Sequence, residues 1–334
     1  MRLPESIRFI ERDWLSCNQV LLCDSSPSQW QPQDLYPGEV DDSHARHSNS
    51  PSYTLIDTGY AKHERLTLQL VQHWIGVGRL KRIINTHLHS DHCGGNALLA
   101  RSMSCEIIVP QASFADVQAW DTEALSYAGT GQHCPRFSAD GVLKPGDVFE
   151  AGALQWQALA APGHDAKSLI FFAPEEGILI SADALWEDGF GILFPELVGD
   201  SGMAEQEAVL NLIESLNPRW VLPGHGAMFE DVGAALKRAR SRLQAFKEKP
   251  ERNPRNAIKA LVKFSLLDQE ELHIERFIET QSKTSVNLAS AKQLGQPLPE
   301  LLRWALVDLS RIGAARLEGE YAFNDEPKAF VSAE

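Results

Sequence analysis

A cluster of metal-binding residue types between positions 87 and 92 is the feature that most limits how this chain can fold. The segment THLHSDHCGG begins at Thr86 and places three histidines and an aspartate within six positions. His87 and His89 are two residues apart at the end of an apolar strand predicted at 82–86, so both imidazoles point to the same side of the extended chain. Both can therefore bind one metal ion.

The residues that follow extend this pattern. Asp91 and His92 lie at the turn into the next predicted helix, where they point away from the first pair and can hold a second ion nearby. Gly94 and Gly95 allow the backbone to turn tightly beneath the ions. The short connection fixes the geometry, but two ions need more ligands than this segment offers.

Three further candidates each follow a predicted apolar strand: His164 in APGHD, Asp183 in ISAD and His225 in LPGHG. A single histidine after a strand is most often an ordinary loop residue. HxHxDH combined with two Gly-His turns and a strand-ending aspartate is specific for a metal site. We expect two divalent metal ions. Zn²⁺ suits this donor set best, and Fe²⁺ and Mn²⁺ also fit it.

Composition and charge indicate a globular chain with an acidic surface. The 334 residues carry a formal net charge of −14, which disfavours nucleic acid and membrane surfaces as partners and favours a small-molecule substrate. The five cysteines are odd in number and form no CxxC pair, so we expect reduced thiols and a cytoplasmic location. We expect neither a signal peptide nor a transmembrane segment, because the sequence shows no apolar run of either type.

Hydrophobic periodicity predicts two regions, residues 1–250 and 251–334. The first alternates strands and helices, which favours helices packed outside sheets, and includes a polar insertion at about 26–51 that we expect to be mobile. The second is mostly helical and winged-helix-like, with 11 Lys+Arg and 13 Asp+Glu for a net charge of −2. Because DNA-reading winged helices are usually basic, we expect a lid or a dimerisation element, which leaves a homodimer open.

Over roughly residues 8–245 the chain resembles hydrolases of the metallo-β-lactamase fold, in particular the glyoxalase II-like branch. The HxHxDH motif at 87–92 and an Asp-Thr-Gly turn at 57–59 carry the resemblance. It implies an α/β fold, an αββα sandwich with the site at the sheet edge between the halves. Here the sandwich is followed by a small, mostly helical C-terminal domain.

The resemblance also implies roles for the ligands. The first metal would be held by His87, His89 and His164, the second by Asp91, His92 and His225, and Asp183 would bridge them. Asp57 would either accept a hydrogen bond that orients a metal-bound histidine or simply form a turn. Cys93 is expected to pack in its helix, with a ligand role as the alternative.

Such a site predicts hydrolysis by a metal-bridging hydroxide, because metal ions lower the pKa of bound water. We assign catalytic roles to Asp183, which would hold both metals, and to Asp91, which would accept a proton as the leaving group departs. The expected substrate is a small ester, thioester or lactone. A mononuclear iron sulfur dioxygenase, a phosphodiesterase or ribonuclease, and a non-catalytic regulator are the alternatives.

Aromatic residues after Asp183 are the candidates for a substrate pocket. Trp186 and Phe190 would line its rim or pack in the core, and Phe194 is expected to pack in the core. The chain lacks the Cys-Gly-Arg-Phe-type segment of glyoxalase II, which argues against a glutathione thioester. Asp91 stands where β-lactam-hydrolysing members often have cysteine. An acidic substrate or a solvated helix face would explain Lys237, Arg238, Arg240 and Arg242.

Overall fold

The computed structural model describes residues 3–24 and 50–325 of the chain. The predicted insertion at about 26–51 lies almost wholly outside the described residues. Within them, the first half of the fold consists of β1 (Ile7–Ile10), β2 (Gln19–Cys23), β3 (Ser52–Ile56), α1 (Glu64–Ile75), β4 (Arg79–Ile84), α2 (Ser90–Cys93), α3 (Asn96–Met103), β5 (Glu106–Pro110), α4 (Phe114–Ala119), α5 (Tyr127–Thr130) and β6 (Gly141–Leu143).

The second half and the C-terminal region follow in chain order. The second half contains β7 (Val148–Ala151), β8 (Leu154–Ala160), β9 (Leu169–Ala173), β10 (Ile178–Ala182), α6 (Phe194–Val198), α7 (Met203–Leu216), β11 (Trp220–Pro223) and α8 (Val232–Glu248). The C-terminal region contains α9 (Arg252–Gln269), β12 (Glu271–His273), α10 (Ile274–Gln281), α11 (Ser285–Leu294), α12 (Leu298–Arg311), β13 (Ala315–Glu318) and β14 (Tyr321–Asn324).

The two halves each build one sheet, and the sheets face each other. The first has the strand order β1-β2-β3-β4-β5-β6 and the second β11-β10-β9-β8-β7. Side chains from both sheets, such as Leu22 and Ile84 from the first and Phe171 and Leu222 from the second, form one buried cluster between them. Because alternate residues of a strand point to opposite faces, each sheet also presents an apolar outer face.

Helices cover those outer faces. In α1, Thr67, Val71 and Ile75 recur every four residues and are buried, which gives the helix one face to pack against the first sheet. On the second sheet, α7 and α8 contribute residues such as Ile213 and Leu243 to another buried cluster. The expected αββα sandwich is therefore confirmed.

Strand direction gathers the candidate ligands at one edge. In the first sheet β3 and β4 are parallel, so Asp57 and the segment from Thr86 onwards leave the sheet side by side. In the second sheet β8 and β10 both run antiparallel to β9, and β10 runs parallel to β11. The carboxyl ends of β8, β10 and β11 therefore also share an edge, which places His164, Asp183 and His225 together.

The C-terminal region has its own buried core between α9, α12 and a three-stranded sheet of order β12-β14-β13. Its element order, helix, strand, helices and hairpin, agrees with the winged-helix-like expectation, which stays a prediction. The break between α8 and α9 falls at residues 249–251. We keep 251 as a proposed domain boundary. Among the described residues, no helix is both long enough and apolar enough to cross a membrane.

Candidate metal centre

The first histidine cluster joins the two halves of the sandwich. His89 Nδ1 lies 3.1 Å from His87 Nε2 and 2.8 Å from His164 Nε2. All three rings are buried. Burial lowers the pKa of His87 well below its ordinary value and that of His164 to about 4. Neutral rings with converging nitrogens are the state that binds a metal ion.

Hydrogen bonds on the far side of two of these rings, those of His164 and His87, direct their free nitrogens into this cluster. His164 Nδ1 donates to the Ile192 carbonyl at 2.6 Å. His87 Nδ1 lies 3.1 Å from Thr86 Oγ1, whose hydroxyl donates to Asp57 Oδ2 at 2.7 Å. Because the Thr86 hydroxyl donates its proton to the Asp57 carboxylate, its oxygen accepts a hydrogen bond from His87 Nδ1. In a neutral imidazole the other nitrogen then carries the lone pair.

The second cluster contains Asp91, His92 and His225, which lie within ligand distance of one another. His225 Nε2 is 3.2 Å from Asp91 Oδ2. Burial acts to raise the pKa of Asp91, but its hydrogen bond with His225 and the nearby His92 outweigh burial and lower the pKa. His92 Nδ1 is 2.8 Å from Asp57 Oδ2, which leaves its Nε2 facing the cluster.

Asp183 lies between the two clusters. Its Oδ2 is 3.3 Å from His164 Nε2, and its Oδ1 is 3.4 Å from His92 Nε2 and 3.9 Å from His225 Nε2. Burial acts to raise the pKa of Asp183, but the charges of His92 and His225 outweigh it and hold the pKa well below its ordinary value. One carboxylate thus offers an oxygen to each cluster.

The donor set fits two divalent cations. Two ligands bound to one zinc ion at about 2.0–2.1 Å in tetrahedral geometry are about 3.3 Å apart, close to the separations found here. His92 Nε2 is buried without a hydrogen-bond partner. Among the described residues, the ion-pair partners of Asp57, Asp91 and Asp183 are all histidines. Buried carboxylates need a compensating positive charge, and bound cations would supply it here.

The backbone conformation at the strand ends allows the candidate ligands to lie close together. Asp57 and Ala182, which directly precede Thr58 and Asp183, have left-handed φ values of +58° and +47°. Such strain in non-glycine residues is concentrated at functional sites. Gly224 is required next to His225, because a Cβ there would collide with Asp183 Oδ1. The Pro-Gly-His turn thus lets the backbone pass directly against the Asp183 carboxylate.

The structure places the remaining predicted residues as follows. Asp57 accepts from Thr86 N at 2.9 Å as well as from His92, and these contacts favour the orienting role, one of the two alternatives for this residue. Cys93 Sγ points to Tyr127 OH and the carbonyls of Leu88 and His89, in agreement with packing. A thiol that the sequence reasoning missed, Cys17, lies within ligand distance of Asp57 and His92.

The rim differs from the prediction at two of its three aromatic residues. Trp186 lies at the site, with Nε1 3.3 Å from Asp183 Oδ1 and its ring 5.4 Å from that of His225. Phe190 is fully buried against Phe246, so its predicted place in the pocket is wrong and it takes the alternative position in the core. A short backbone turn, in which Trp186 N bonds Gly189 O at 2.7 Å, redirects the chain into the core.

Phe194 and Trp14 belong to the rim instead. Phe194, expected in the core, packs its ring against His89 and His164 at 4.9 and 5.5 Å between centroids. Trp14 is 62% exposed. It stacks on His225 at 5.3 Å and meets Trp186 edge-on at 5.4 Å. The loop that carries Trp14 contains no recognisable motif. Only the presence of a tryptophan without a predicted place in the core could have indicated its role.

The basic residues of α8 are engaged away from the centre. Arg238 pairs with Glu187 and Asp188, Arg240 pairs with Glu214, and Arg242 lies over the rings of Phe190 and Phe246. Burial lowers the pKa of Arg242. Arg238 and Arg240 thus behave as a solvated face, in line with the simpler of the two expectations.

Comparison with known proteins agrees with this geometry. The hydroxyacylglutathione hydrolase of Idiomarina loihiensis is 28% identical over 187 residues, which are 55% of this chain and 60% of that protein. The enzyme of the same name from Methylococcus capsulatus is 30% identical over 128 residues, 38% of this chain and 40% of that protein. The chain thus spans less than two thirds of the length of either relative.

Solved structures share the fold over nearly the whole chain. A metallo-beta-lactamase family protein from Thermus thermophilus aligns with a TM-score of 0.51 and 18% identity, covering 96% of this chain and 98% of that one. A beta-lactamase domain protein from Burkholderia ambifaria aligns with a TM-score of 0.56 and 18% identity, covering 97% and 94%. These alignments include most of the C-terminal region.

The family comparison covers the residues that build the metal centre. The model of the metallo-beta-lactamase superfamily matches residues 52–225, from the first residue of β3 to the last histidine of the second cluster. This range includes Asp57 and all seven candidate ligands. The match exceeds half of the chain, and the chain belongs to the metallo-beta-lactamase superfamily.

Proposed function

We propose that this protein is a hydrolase that holds two divalent metal ions and cleaves a small thioester or ester. The observation that carries the proposal is the position of Asp183, whose two oxygens face different ligand clusters at 3.3 and 3.4 Å. The first ion would be held by His87, His89 and His164, the second by Asp91, His92 and His225. Bound there, such ions supply Lewis-acid polarisation of a carbonyl and acidification of water.

The chain's own residues would move the proton and keep the ligands in place. Asp91 has a side chain 16% exposed, against 6% for Asp183, so a substrate can reach it. In this proposal the Asp91 carboxylate accepts a proton from the attacking water and then donates it to the departing thiolate or alkoxide. Asp57 holds His92 directly and His87 through Thr86, so that neither ring turns during the reaction.

The relatives and the rim both support the proposed substrate class. Hydroxyacylglutathione hydrolases cleave a thioester by their name, which supports a thioester here. Trp14 and Trp186 form an apolar corner beside His225, with ring planes 78° apart, while Arg238 and Arg240 are paired elsewhere. We therefore propose that an apolar or flat group of the substrate, rather than a glutathione carboxylate, lies against the two tryptophans.

Metal content and hydrolysis test the proposal together. Protein purified without added metal should contain about two equivalents by elemental mass spectrometry. It should cleave an aryl thioester faster than a hydroxyacylglutathione, and lose activity to a chelator. Trp14→Ala should raise KM for the aryl thioester, while Trp14→Phe should keep the wild-type KM. One equivalent of iron, with oxygen consumed alongside a persulfide, would overturn the hydrolase; two bound metals without cleavage of either thioester would overturn the substrate class.

A further inference from the structure

Helix α9 of the C-terminal region presents one continuous face to both halves of the sandwich. Asn253, Ala257, Leu261, Phe264 and Asp268 are spaced by four, four, three and four residues, the spacing of one stripe on a helix. At about 1.5 Å per residue its 18 residues span about 27 Å. We call these five residues the α9 stripe.

The first residue of the stripe contacts the segment that orients a metal ligand. Asn253 Oδ1 accepts from Leu193 N at 3.3 Å, and Asn253 Nδ2 donates to Leu193 O at 2.9 Å. Leu193 follows Ile192, whose carbonyl accepts from His164 Nδ1. Asn253 and Leu193 are both buried. Two hydrogen bonds in opposite directions therefore hold Leu193 in place. Leu193 directly follows Ile192, whose carbonyl orients the His164 ring.

Apolar contacts continue this connection along the helix. Ala257 and Leu261 form a buried cluster with Leu197, and Ile192 and Phe194 pack against that cluster. The ring of Phe194 in turn lies on His89 and His164. The segment 192–197 is thus held between α9 on one side and the first histidine cluster on the other.

The far end of the stripe reaches the other half. Phe264 meets Tyr60 edge-on at 4.8 Å, and Tyr60 OH donates to Asp268 Oδ2 at 3.3 Å. Lys62 donates to the carbonyl oxygens of Leu267 and Asp268. Tyr60 lies in the turn that begins with Asp57. The helix is therefore attached to both halves, and Asn253 is not merely on a loosely attached tail.

We propose that Asn253 is a positioning residue for the metal ligand His164, so that the C-terminal region helps to build the first metal site. The proposal rests on the metal binding in the proposed function and is independent of the substrate. Residues that orient a metal-bound histidine typically contribute 10–100-fold to metal affinity. Asn253 acts one residue further out, and we expect a loss of about tenfold at the first site.

A matched variant separates positioning from packing. Asn253→Ala leaves both polar groups of Leu193 without partners and will lower stability whatever the role of Asn253. Asn287, in the same region, is also fully buried, and its amide donates to Gln281 Oε1 and Thr284 Oγ1 at 3.0 and 2.9 Å. Asn287→Ala therefore imposes a similar loss on the same region, but the hydrogen bonds that it removes lie within residues 281–287 and do not involve segment 192–197.

The experiment measures metal binding to full-length protein, using Zn²⁺ in chelator competition and the visible absorption of Co²⁺. We expect Asn253→Ala to bind one of two ions about tenfold more weakly with an altered Co²⁺ spectrum, and Asn287→Ala to match wild type. Asn253→Asp keeps the acceptor for Leu193 N but places a carboxylate oxygen against Leu193 O, so we expect it to weaken binding of the same ion. Wild-type affinity in Asn253→Ala, or equal losses in both alanine variants, would overturn the proposal. Wild-type protein that binds two ions but cleaves neither a thioester nor an ester would instead overturn only the proposed hydrolase activity.

Discussion

The two halves of the sandwich supply the proposed metal ligands in different ways. The first half provides His87, His89, Asp91 and His92 from one segment at the end of β4, whereas the second half provides His164, Asp183 and His225 from three separate strand ends. The groups that hold the histidine rings in place differ in the same way. Asp57 lies in the same half as the rings it holds, but the carbonyl that holds His164 depends on Asn253 of the C-terminal region.

This difference teaches where the site is sensitive to the rest of the fold. A ligand cluster within one turn keeps its geometry through local backbone conformation, because short connections leave few alternatives. Ligands on separate strands keep theirs only through sheet register and packing. Changes in the second half should therefore affect metal binding more, residue for residue, than changes of equal size in the first.

The largest effect is expected at the residue that both clusters share. Asp183→Asn removes the charge that lies between them, and we expect activity on the identified substrate to fall more than about a hundredfold, beyond what loss of an orienting residue costs. At least one metal equivalent should be lost while circular dichroism stays that of the folded protein. Retained turnover with two bound metals would contradict the shared role of Asp183.

Gly224 tests how closely the second half is packed. Gly224→Ala adds a Cβ that collides with Asp183 Oδ1 and comes within 3.1 Å of His92, and we expect about a tenfold to hundredfold loss of affinity for the second metal. Gly233→Ala is the matched control, since a Cβ there meets only Asp231 Oδ1 at 3.9 Å and should be neutral. Chelator competition on both variants measures the difference. Equal affinities would mean that the turn adapts.

Asp57 tests support within the first half. Asp57→Ala removes the acceptor of His92 Nδ1 and of the Thr86 hydroxyl, and we expect metal affinity to fall about tenfold. Asp24→Ala serves as the control, because this carboxylate accepts from Ser52 and Thr54 at the other end of β3. Titration with Zn²⁺ would distinguish them. If Asp24→Ala weakened binding equally, Asp57 would have only a general structural role.

The smallest effect is expected where α9 meets the first half. Tyr60→Phe removes the hydroxyl that bonds Asp268 and accepts from His133 N at 3.3 Å, and should lower the free energy of unfolding by about 1 kcal/mol. Activity should stay within about twofold, since Asp57 keeps its own contacts. Urea unfolding measures the loss, with the exposed Tyr321→Phe as control. A large loss of activity in Tyr60→Phe would mean that the first half, like the second, depends on contacts with the C-terminal region.

The same contrast explains what the sequence could predict. Helix α1 (Glu64–Ile75) can be predicted from the sequence, because its periodicity and the terminating Gly76 are local signals. The ligands at 87–92 and the Gly-His turns were visible as residue types with characteristic spacing. Tertiary contacts decided the rest. Phe190 turned into the core, Phe194 turned onto the histidines, and Trp14 reached His225 from a loop more than two hundred residues earlier.

Asn253 shows the limit most clearly. It lies in the stretch KPERNPRN, whose charges and prolines favour a linker, yet α9 already begins at Arg252 with Pro254 in its first turn. A proline is tolerated there because the first N–H groups of a helix have no partner within it. The importance of Asn253 lies in its pairing with Leu193, sixty residues earlier, and composition does not reveal such a pairing.

The attachment of α9 to both halves has a consequence for synthesis. The last ligand, His225, is made before Asn253 and Asp268, which are 28 and 43 residues further along the chain. At about 5–20 residues per second, a nascent chain therefore spends several seconds with every ligand translated but with Leu193 and Tyr60 still lacking their partners. The order of translation thus delays completion of the centre until the C-terminal helix has emerged.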